Sequence, residues 1–353
     1  MLYIRPVEQK DLSGLLHLAS IASKGITSLT NDRDTLRGKI ERSRASFTRA
    51  HPDPSDYFLL VMIDSEHERV IGTAAAYGHT GTDQAFYAYR LIKLAHHSHS
   101  LNKRVQSEVL HLSNDYTDCA EVGTLFLDPE YRGNGHWLSR SRYLLIGQHL
   151  ARFADHVIAE MRGWIDDENY CPFWSGLGEH FFEMSFTEAD ALCGQGSNQF
   201  ITELMPRYPI YTCLLPEDAR HFIGKPHRNT VRAVELLYEE GFEYEQMVDI
   251  FDGGPILRAR TKEITSVQSA VHRQTTSDPI ADGETSSWIV SNCSLHSFRV
   301  IQAKLCSNDT DVQLTAEQRQ MLAIQPGDSV RMIAKPKRHT SPTQLPVVGT
   351  AGQ

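Results

Sequence analysis

The spacing of apolar and polar residues predicts several strands and one helix in the first half of the chain. The opening "LYIRPVEQKDLSGLLHLAS" predicts a strand followed by a helix that begins near Asp11. "DYFLLVMID" (56–64) and "RVIGTAAAYG" (69–78) are apolar runs joined by polar residues, which is typical of a β-hairpin. "EVGTLFLDP" (121–129) predicts a strand that Asp-Pro ends. Residues 79–118 show no clean strand pattern, and we interpret them as an insertion between strands.

The second half of the pattern indicates a mixture of helices and strands. "LSRSRYLLIGQHLARFA" (138–154) has one apolar face at helical spacing, and "DHVIAEMRG" (155–163) predicts a buried strand. Residues 231–255 predict a helix that stops at Gly241 and a strand after it. We therefore expect an α+β domain over residues 1–260.

Residues beyond 260 differ in composition from the first part of the chain. The Ser-, Thr- and Gln-rich range 261–285 predicts a mobile connection. Three short apolar runs then predict a small β-rich region over 286–340. The final residues, 341–353, are expected to be a frayed tail.

Charge and composition narrow the classes of function. The chain has 353 residues and a formal net charge of -9, which argues against a general nucleic-acid binder. The N-terminus has no apolar core like that of a signal peptide, and no apolar run is long enough to span a bilayer. The six cysteines lack metal-ligand spacing. We expect a cytoplasmic protein without a metal site, membrane contact or nucleic-acid partner.

The stretch "TLFLDPEYRGNGHWLSRSR" (124–142) places a glycine turn between a strand and a helix. A Rossmann fingerprint needs glycine where Leu138 stands, and a P-loop needs Gly-Lys-Ser/Thr, so neither fits. Backbone amides at such a turn bind a pyrophosphate, because glycine lets phosphates approach the main chain. Arg140 and Arg142 in the first helical turns are unfavourable unless an anion binds there.

Several segments resemble the arginine N-succinyltransferases. They include "TLFLDP", "NGHWLSRSR", "VIAEMRGWID", "PFWSGLGEHFFEMSF", "ITELMPRYPIY" and "DIFDGGP". The resemblance implies an acyl-CoA N-acyltransferase fold of the GNAT superfamily, with a mixed, mostly antiparallel sheet. It also implies transfer of a succinyl group from succinyl-CoA to the α-amine of L-arginine, the first step of arginine catabolism by this route. The family's turn, Arg-x-x-Gly-Asn-Gly, is two residues longer than the turn in this chain, which puts CoA affinity in question.

The resemblance also implies roles for individual residues. Succinyl-CoA is expected to contact the strand end and the turn, at Leu125, Leu127, Arg132, Gly133, Asn134 and Gly135. The contact at Leu125 would come from its backbone, which suits oxyanion-type stabilisation. His227 in "IGKPHRNTVRAV" matches the family's catalytic proton donor.

Both ends of the reaction carry charge, so charged partners are needed. Arg162 and Arg90 are candidates for the succinyl carboxylate. Glu160, Asp115 and Glu121 are candidates for the substrate guanidinium.

No tightly bound cofactor is expected, and succinyl-CoA is a co-substrate. Two alternatives stay open: a subunit of an arginine/ornithine succinyltransferase, in a homo- or hetero-oligomer, and a catalytically silent protein that binds acyl-CoA or an amino acid.

Overall fold

The computed structural model describes residues 1–22, 28–82, 85–194 and 199–335. Within them the first strands are β1 (Leu2–Pro6), β2 (Tyr57–Asp64), β3 (Arg69–Tyr77), β4 (Ala88–Ser98), β5 (Lys103–Ser113), β6 (Ala120–Leu127), β7 (His156–Glu160) and β8 (Ile210–Tyr211). The later strands are β9 (Glu243–Val248), β10 (Pro255–Arg260), β11 (Val271–Thr276), β12 (Glu284–Asn292), β13 (Val300–Ser307), β14 (Asp311–Gln313) and β15 (Ser329–Ala334).

The α-helices of the described residues are α1 (Leu12–Ile21), α2 (Arg33–Thr48), α3 (Gly135–Gln148), α4 (Glu179–Phe182), α5 (Phe186–Gly194), α6 (Gln199–Leu204), α7 (Glu217–Phe222), α8 (Val231–Glu239), α9 (Thr265–Gln268) and α10 (Ala316–Leu322). A π-helical turn, Trp174–Gly178, precedes α4. None of these helices is long and apolar enough to cross a membrane.

One mixed sheet runs through the molecule in the order β12-β15-β11-β14-β13-β1-β2-β3-β6-β7-β10-β9-β4-β5-β8. Neighbouring strands are antiparallel except for β6–β7 and β11–β14, which are parallel. The predicted α+β class with a mostly antiparallel mixed sheet is confirmed.

The centre of the sheet is covered on both faces. Helices α1 and α2 pack on one face against Tyr57 and Leu59, and α3 packs on the other face against Phe58 and Leu60. Every residue of β2 is therefore buried, which is why its sequence is a continuous apolar run rather than an alternating one. We call these two surfaces the α1–α2 face and the α3 face.

The prediction that residues 79–118 lack strands is wrong. Strands β4 and β5 form a long hairpin there, paired from Ala88↔Ser113 to Ser98↔Lys103. Its outer part contains His96, His97 and polar residues at positions where a buried strand would be apolar. The hairpin projects from the sheet, so the burial that gives strands their sequence signal is missing.

The expected mobile connection over 261–285 contains regular structure. Helix α9 lies in this range, and β11 pairs with β14 and β15. In β11 buried or half-buried positions alternate with exposed ones up to Thr275, and Thr is common in strands, so a polar composition did not exclude a strand here. The predicted strands near residues 287–292, 297–305 and 326–335 correspond to β12, β13 and β15. The tail, 341–353, lies outside the described residues.

Candidate active site

The two parallel strands at the centre of the sheet separate along their length. Strands β6 and β7 pair only at Ala120↔Val157 and Glu121↔Ile158. Beyond these positions β7 stays paired with β10, as far as Glu160↔Ile256. The facing edges of β6 and β7 therefore diverge, and a crevice opens between their carboxyl ends.

A β-bulge lies in β6 on the edge of this crevice. The pairing of β3 with β6 passes from Ala75↔Gly123 to Thr73↔Phe126, so β6 contains one extra residue. Thr124 in the bulge has φ of 51°, a left-handed conformation that costs a β-branched residue about 1–2 kcal/mol. Its side chain is buried, and Oγ1 lies near the hydroxyls of Tyr57 and Tyr77 without hydrogen-bond geometry.

The bulge changes which face each following side chain meets. Phe126 packs with the core on the α1–α2 face, whereas Leu125 and Leu127 pack with the core on the α3 face. Glu121, paired with Tyr77 ahead of the bulge, lies on the α1–α2 face. The predicted donor-contact residues Leu125 and Leu127 thus pack their half-buried side chains against the core.

The glycine turn leads directly into α3, as the sequence predicts. Gly133 has φ of 101° and open space around it. Glycine is therefore favoured here by the backbone conformation and not by the close approach of another atom. Asn134 holds the turn, since Nδ2 donates to the carbonyl oxygen of Tyr131 at 2.9 Å and Oδ1 accepts from Trp137 Nε1 at 3.2 Å. Arg132 is exposed beside it.

The helix start leaves donors free for a ligand. Among the described residues, the amides of Gly135, His136 and Trp137 have no hydrogen-bond acceptor. Arg140 and Arg142 do not face this end of the helix, contrary to the expectation. Arg140 pairs with Glu240 at 2.7 Å, and the buried Arg142 guanidinium bonds Ser139 and the carbonyl oxygen of Gly123, behind the bulge.

Two of the predicted carboxylates lie together at the crevice. Glu121 and Ile158 are cross-strand partners, and Glu160 follows on the same face of β7. Glu160 is accessible to solvent, yet protein atoms surround it on most sides, as expected in a narrow crevice. Burial raises the pKa of Glu121 to about 7, with Lys39 opposing the shift. Burial and then the charge of Glu121 raise the pKa of Glu160.

Two further carboxylates at this site were missed by the sequence analysis. Asp249 and Asp252 belong to "DIFDGGP", a segment that carries the family resemblance but was not assigned a role in the site. Asp252 accepts hydrogen bonds from the amides of Gly163 and Gly254, at 2.7 and 2.8 Å. Burial raises the pKa of Asp252 to about 8, and both aspartates raise the pKa of Glu160 through their charge. Because the two aspartates are far from Glu160 in sequence, the sequence analysis did not group the three carboxyl groups.

Arg162 lies just beyond the end of β7 with an unpaired guanidinium. None of its nitrogens forms a hydrogen bond or an ion pair with a described residue, and Nε is buried. Burial lowers the pKa of Arg162, while the charges of Asp252 and Asp190 oppose the shift. An unpaired cation in a crevice is suited to an anionic group of a ligand.

His227 is held next to Arg162. Its amide donates to the Arg162 carbonyl oxygen at 2.8 Å, and its Nδ1 accepts from the Asn229 amide at 3.2 Å. Burial, followed by the charges of Arg162 and Arg228, lowers the pKa of His227, whereas a hydrogen bond to the backbone of Ile165 raises it. The imidazole is therefore mostly neutral near pH 7.

The structure does not bring Arg90 and Asp115 into the crevice. They pair with each other at 2.7 Å. Arg90 is in the same cross-strand row as Glu160, but β9 and β10 separate their strands. Three strand spacings place the backbones of Arg90 and Glu160 about 14 Å apart. The charges of Arg90 and Asp115 are instead used in their own ion pair. Among the described residues, no group of three or more His, Cys, Asp or Glu could hold a metal ion.

Diverging parallel strands, a bulge beside the gap and free amides at the next helix together define the class of acyl-CoA N-acyltransferases. The profile of the family described as "Arginine N-succinyltransferase beta subunit" matches residues 2–266, and that of its C-terminal domain matches residues 271–334. The chain belongs to the arginine N-succinyltransferase family. The predicted resemblance is confirmed, and residues 271–334 form a separate C-terminal β domain.

Individual relatives match along nearly their whole length. The arginine N-succinyltransferase of Escherichia coli strain 55989 is 40% identical over 335 residues, 94% of this chain and 97% of the relative. That of Citrobacter koseri is 41% identical over 338 residues, 94% of this chain and 97% of the relative. The solved structure of arginine/ornithine succinyltransferase subunit AI from Pseudomonas aeruginosa is 31% identical. It covers 95% of this chain and 98% of its own, with a TM-score of 0.85.

Proposed function

We propose that this protein transfers the succinyl group of succinyl-CoA to the α-amino group of L-arginine, giving N2-succinyl-L-arginine and CoA. The observation that carries the proposal is the crevice between β6 and β7, which presents an unpaired arginine and a carboxylate cluster. The succinyl group carries a free carboxylate, and L-arginine carries two cationic groups. A site with both signs of charge therefore suits the two reactants. The names of the relatives support the same reaction.

The donor is held through its diphosphate and its thioester. The pyrophosphate lies against the free amides of Gly135, His136 and Trp137, with Arg132 beside it. The thioester carbonyl oxygen then points at the backbone amide of Leu125, next to the bulge. Arg162 binds the free carboxylate of the succinyl group. Because the turn is short, these three amides carry the main-chain contact with the diphosphate.

The acceptor is held on the α1–α2 face. Glu160 binds the guanidinium of L-arginine, whose positive charge favours the ionised form of this carboxyl group and offsets the pKa increase caused by Asp249 and Asp252. Glu121, four residues before Leu125 on the same strand, accepts the proton of the α-ammonium group. Its raised pKa suits this step, since a base that titrates near neutral pH accepts a proton readily and can release it again.

The reaction is a direct transfer. The α-amine lone pair attacks the thioester carbonyl carbon, and the oxygen gains charge that the Leu125 amide stabilises. The carbon–sulfur bond then breaks and the amide forms, while the second proton of the attacking nitrogen passes to the CoA thiolate. We assign this relay to His227, whose neutral imidazole accepts the proton and then donates it, and whose position beside Arg162 lies along the same crevice. For this step the imidazole must leave its contact with Ile165.

Release of the CoA thiol, followed with a thiol reagent, tests the proposal. We expect release that depends on both succinyl-CoA and L-arginine, with the product identified by mass. Absence of release by folded protein would favour the silent acyl-CoA-binding alternative. The related Pseudomonas aeruginosa protein is named for ornithine as well as arginine. The same assay with L-ornithine decides whether the acceptor choice is relaxed.

A further inference from the structure

The outer part of the β4–β5 hairpin is a two-stranded ribbon that no other strand supports. Strand β9 pairs with β4 only at Tyr89 and Arg90, and β8 pairs with β5 only at Val109 and Leu110. Residues 91–107, which we call the arm, therefore have free backbone edges on both sides among the described residues. An isolated two-stranded ribbon is marginally stable in water, and free edges favour association.

One face of the arm carries apolar side chains, with Ser107 and His96 between them, and continues onto the neighbouring segment. The cross-strand partners Ile92, Val109 and Tyr211 form a row, and Leu94 and Val105 extend it toward the tip. Val105 is 46% exposed, and Leu101 at the tip is 75% exposed. Beyond the row, Tyr208 is 85% and Leu214 is 79% exposed.

This exposure is concentrated rather than scattered. Of the eleven most exposed large apolar side chains in the described part of the chain, five lie in the arm or in residues 208–214. Single exposed apolar residues are ordinary, but their concentration in two adjoining segments favours an interaction surface.

The arm carries positive charge, and among the described residues Lys93 faces a carboxylate across the hairpin, Glu108, at the border of the arm. Residues 91–107 contain Lys93, Lys103 and Arg104, three histidines and no Asp or Glu, for a charge of +3 with histidine neutral. None of the three cations forms an ion pair with a described residue. The whole chain has a charge of -9, so the arm is opposite in sign to the molecule that bears it.

A complementary acidic surface exists on the same chain. Residues 166–188 contain Asp166, Asp167, Glu168, Glu179, Glu183 and Glu188 and no Lys or Arg, for a charge of -6. All of these except Asp166 are exposed, although Asp167 forms an ion pair with Arg228 at 2.7 Å. Tyr170 and Phe181 in the same range are exposed as well. We call residues 166–188 the acidic segment.

We propose that the arm of one molecule docks on the acidic segment of a second copy of this chain, and the reverse, in a two-fold symmetric dimer. The base of the arm and the acidic segment share one apolar core, through Tyr89, Leu110, Phe173 and Trp174. Two copies that meet at this end can therefore exchange arms reciprocally, which is the geometry a closed dimer requires. Charge sets the pairing, and the apolar row supplies the buried contact.

Sedimentation equilibrium of the full chain tests the proposal. The wild-type protein is expected to be a dimer, and Val105→Asp should raise the dimer dissociation constant by roughly tenfold or more, because it places a negative charge against the acidic segment. Ile21→Asp is the matched control, since Ile21 is 40% exposed but lies on α1, and its dissociation constant should equal that of wild type. Circular dichroism checks that each variant is folded.

Two charge-reversed double variants distinguish loss of the dimer contact from poor folding of a single variant. Lys103→Glu with Arg104→Glu reverses the charge of these two positions in the arm. Glu168→Lys with Glu183→Lys reverses the charge of two positions in the acidic segment. Each double variant alone should be mainly monomeric, whereas an equimolar mixture should form heterodimers with near wild-type affinity. The proposal is overturned by a monomeric wild type at about 100 µM. It is equally overturned by a dimer indifferent to the arm variants, or by a mixture that stays monomeric.

Discussion

The amide of His227 donates a hydrogen bond to the carbonyl oxygen of Arg162 at 2.8 Å. This bond fixes the loop before α8 against the end of β7, so the candidate proton donor and the candidate carboxylate-binding cation keep a constant separation. Each residue therefore has a structural and a chemical role, and an experiment on either must separate the two.

Replacing His227 by alanine should reduce kcat by roughly 10²- to 10⁴-fold, since a positioned acid contributes about that much. The same change removes the acceptor for the Asn229 amide and should lower the free energy of unfolding by about 1 kcal/mol, as for loss of a helix cap. His227→Asn keeps a capping acceptor, but its side-chain amide neither takes up nor releases a proton near pH 7. Wild-type turnover in His227→Asn would reassign His227 as a purely structural residue.

Arg162→Met should lower kcat/KM for succinyl-CoA by roughly 10- to 100-fold, as expected for the loss of a charge-assisted hydrogen bond of about 1.5–3 kcal/mol. Acetyl-CoA is the internal control, because its acyl group has no carboxylate for Arg162 to bind. The ratio of the two kcat/KM values should therefore fall in the variant. An equal loss with both donors contradicts the assignment.

Glu160→Gln should raise KM for L-arginine by roughly tenfold or more, since it removes a charge that faces the guanidinium. The KM for succinyl-CoA should change little, because the donor is bound on other residues. Initial-rate measurements with each substrate varied in turn check both values. A larger effect on the donor would place Glu160 at the acyl group instead.

The glycine turn allows a matched pair of substitutions. Gly133→Ala places a Cβ on a residue with φ of 101° and should destabilise the protein by about 1–2 kcal/mol and raise KM for succinyl-CoA. Gly135→Ala, with equally open surroundings and no positive φ, should stabilise the start of α3 by up to about 1 kcal/mol. Chemical unfolding and donor kinetics on the two variants provide the comparison. Similar behaviour of both would show that the backbone of Gly133 is not under constraint.

Stability should depend on pH through Glu121. Its folded pKa of about 7 lies above the ordinary value of 4.5, so the folded protein binds more protons between these values. The free energy of unfolding contributed by this group therefore falls as the pH rises through that window. Glu121→Gln should flatten the dependence, which urea unfolding at several pH values would reveal. An unchanged slope would mean that Glu121 titrates normally.

The sequence predicted the elements whose side chains are buried. Strands β2, β3, β6 and β7 and helix α8 follow their apolar patterns, because burial imposes those patterns. The strands of the arm were not predicted, because a ribbon that projects into solvent lacks the alternating apolar pattern that burial of one face produces. Helix α2 was also missed, for its apolar positions are spaced between many charges.

The site was partly accessible to sequence reasoning. The glycine turn and the residues Glu121, Glu160 and Arg162 could be nominated because they adjoin recognisable strands. Asp249 and Asp252 could not, since only the pairing of β10 with β7 and β9 brings their turn to Gly163. The separation of Arg90 from the crevice likewise depends on strand order, which local patterns do not contain.

The extra residue at Thr124 sets the parity of everything that follows it in β6. With it, Glu121 and Leu125 lie on opposite sides of the sheet although they are an even number of positions apart. Deleting that residue would leave leucines 125 and 127 on the α3 face, whereas absorbing it into regular alternation would turn them toward the acceptor side and force Phe126 into the layer below α3. The bulge therefore lets one strand direct Glu121 to one side of the sheet and both leucines to the other.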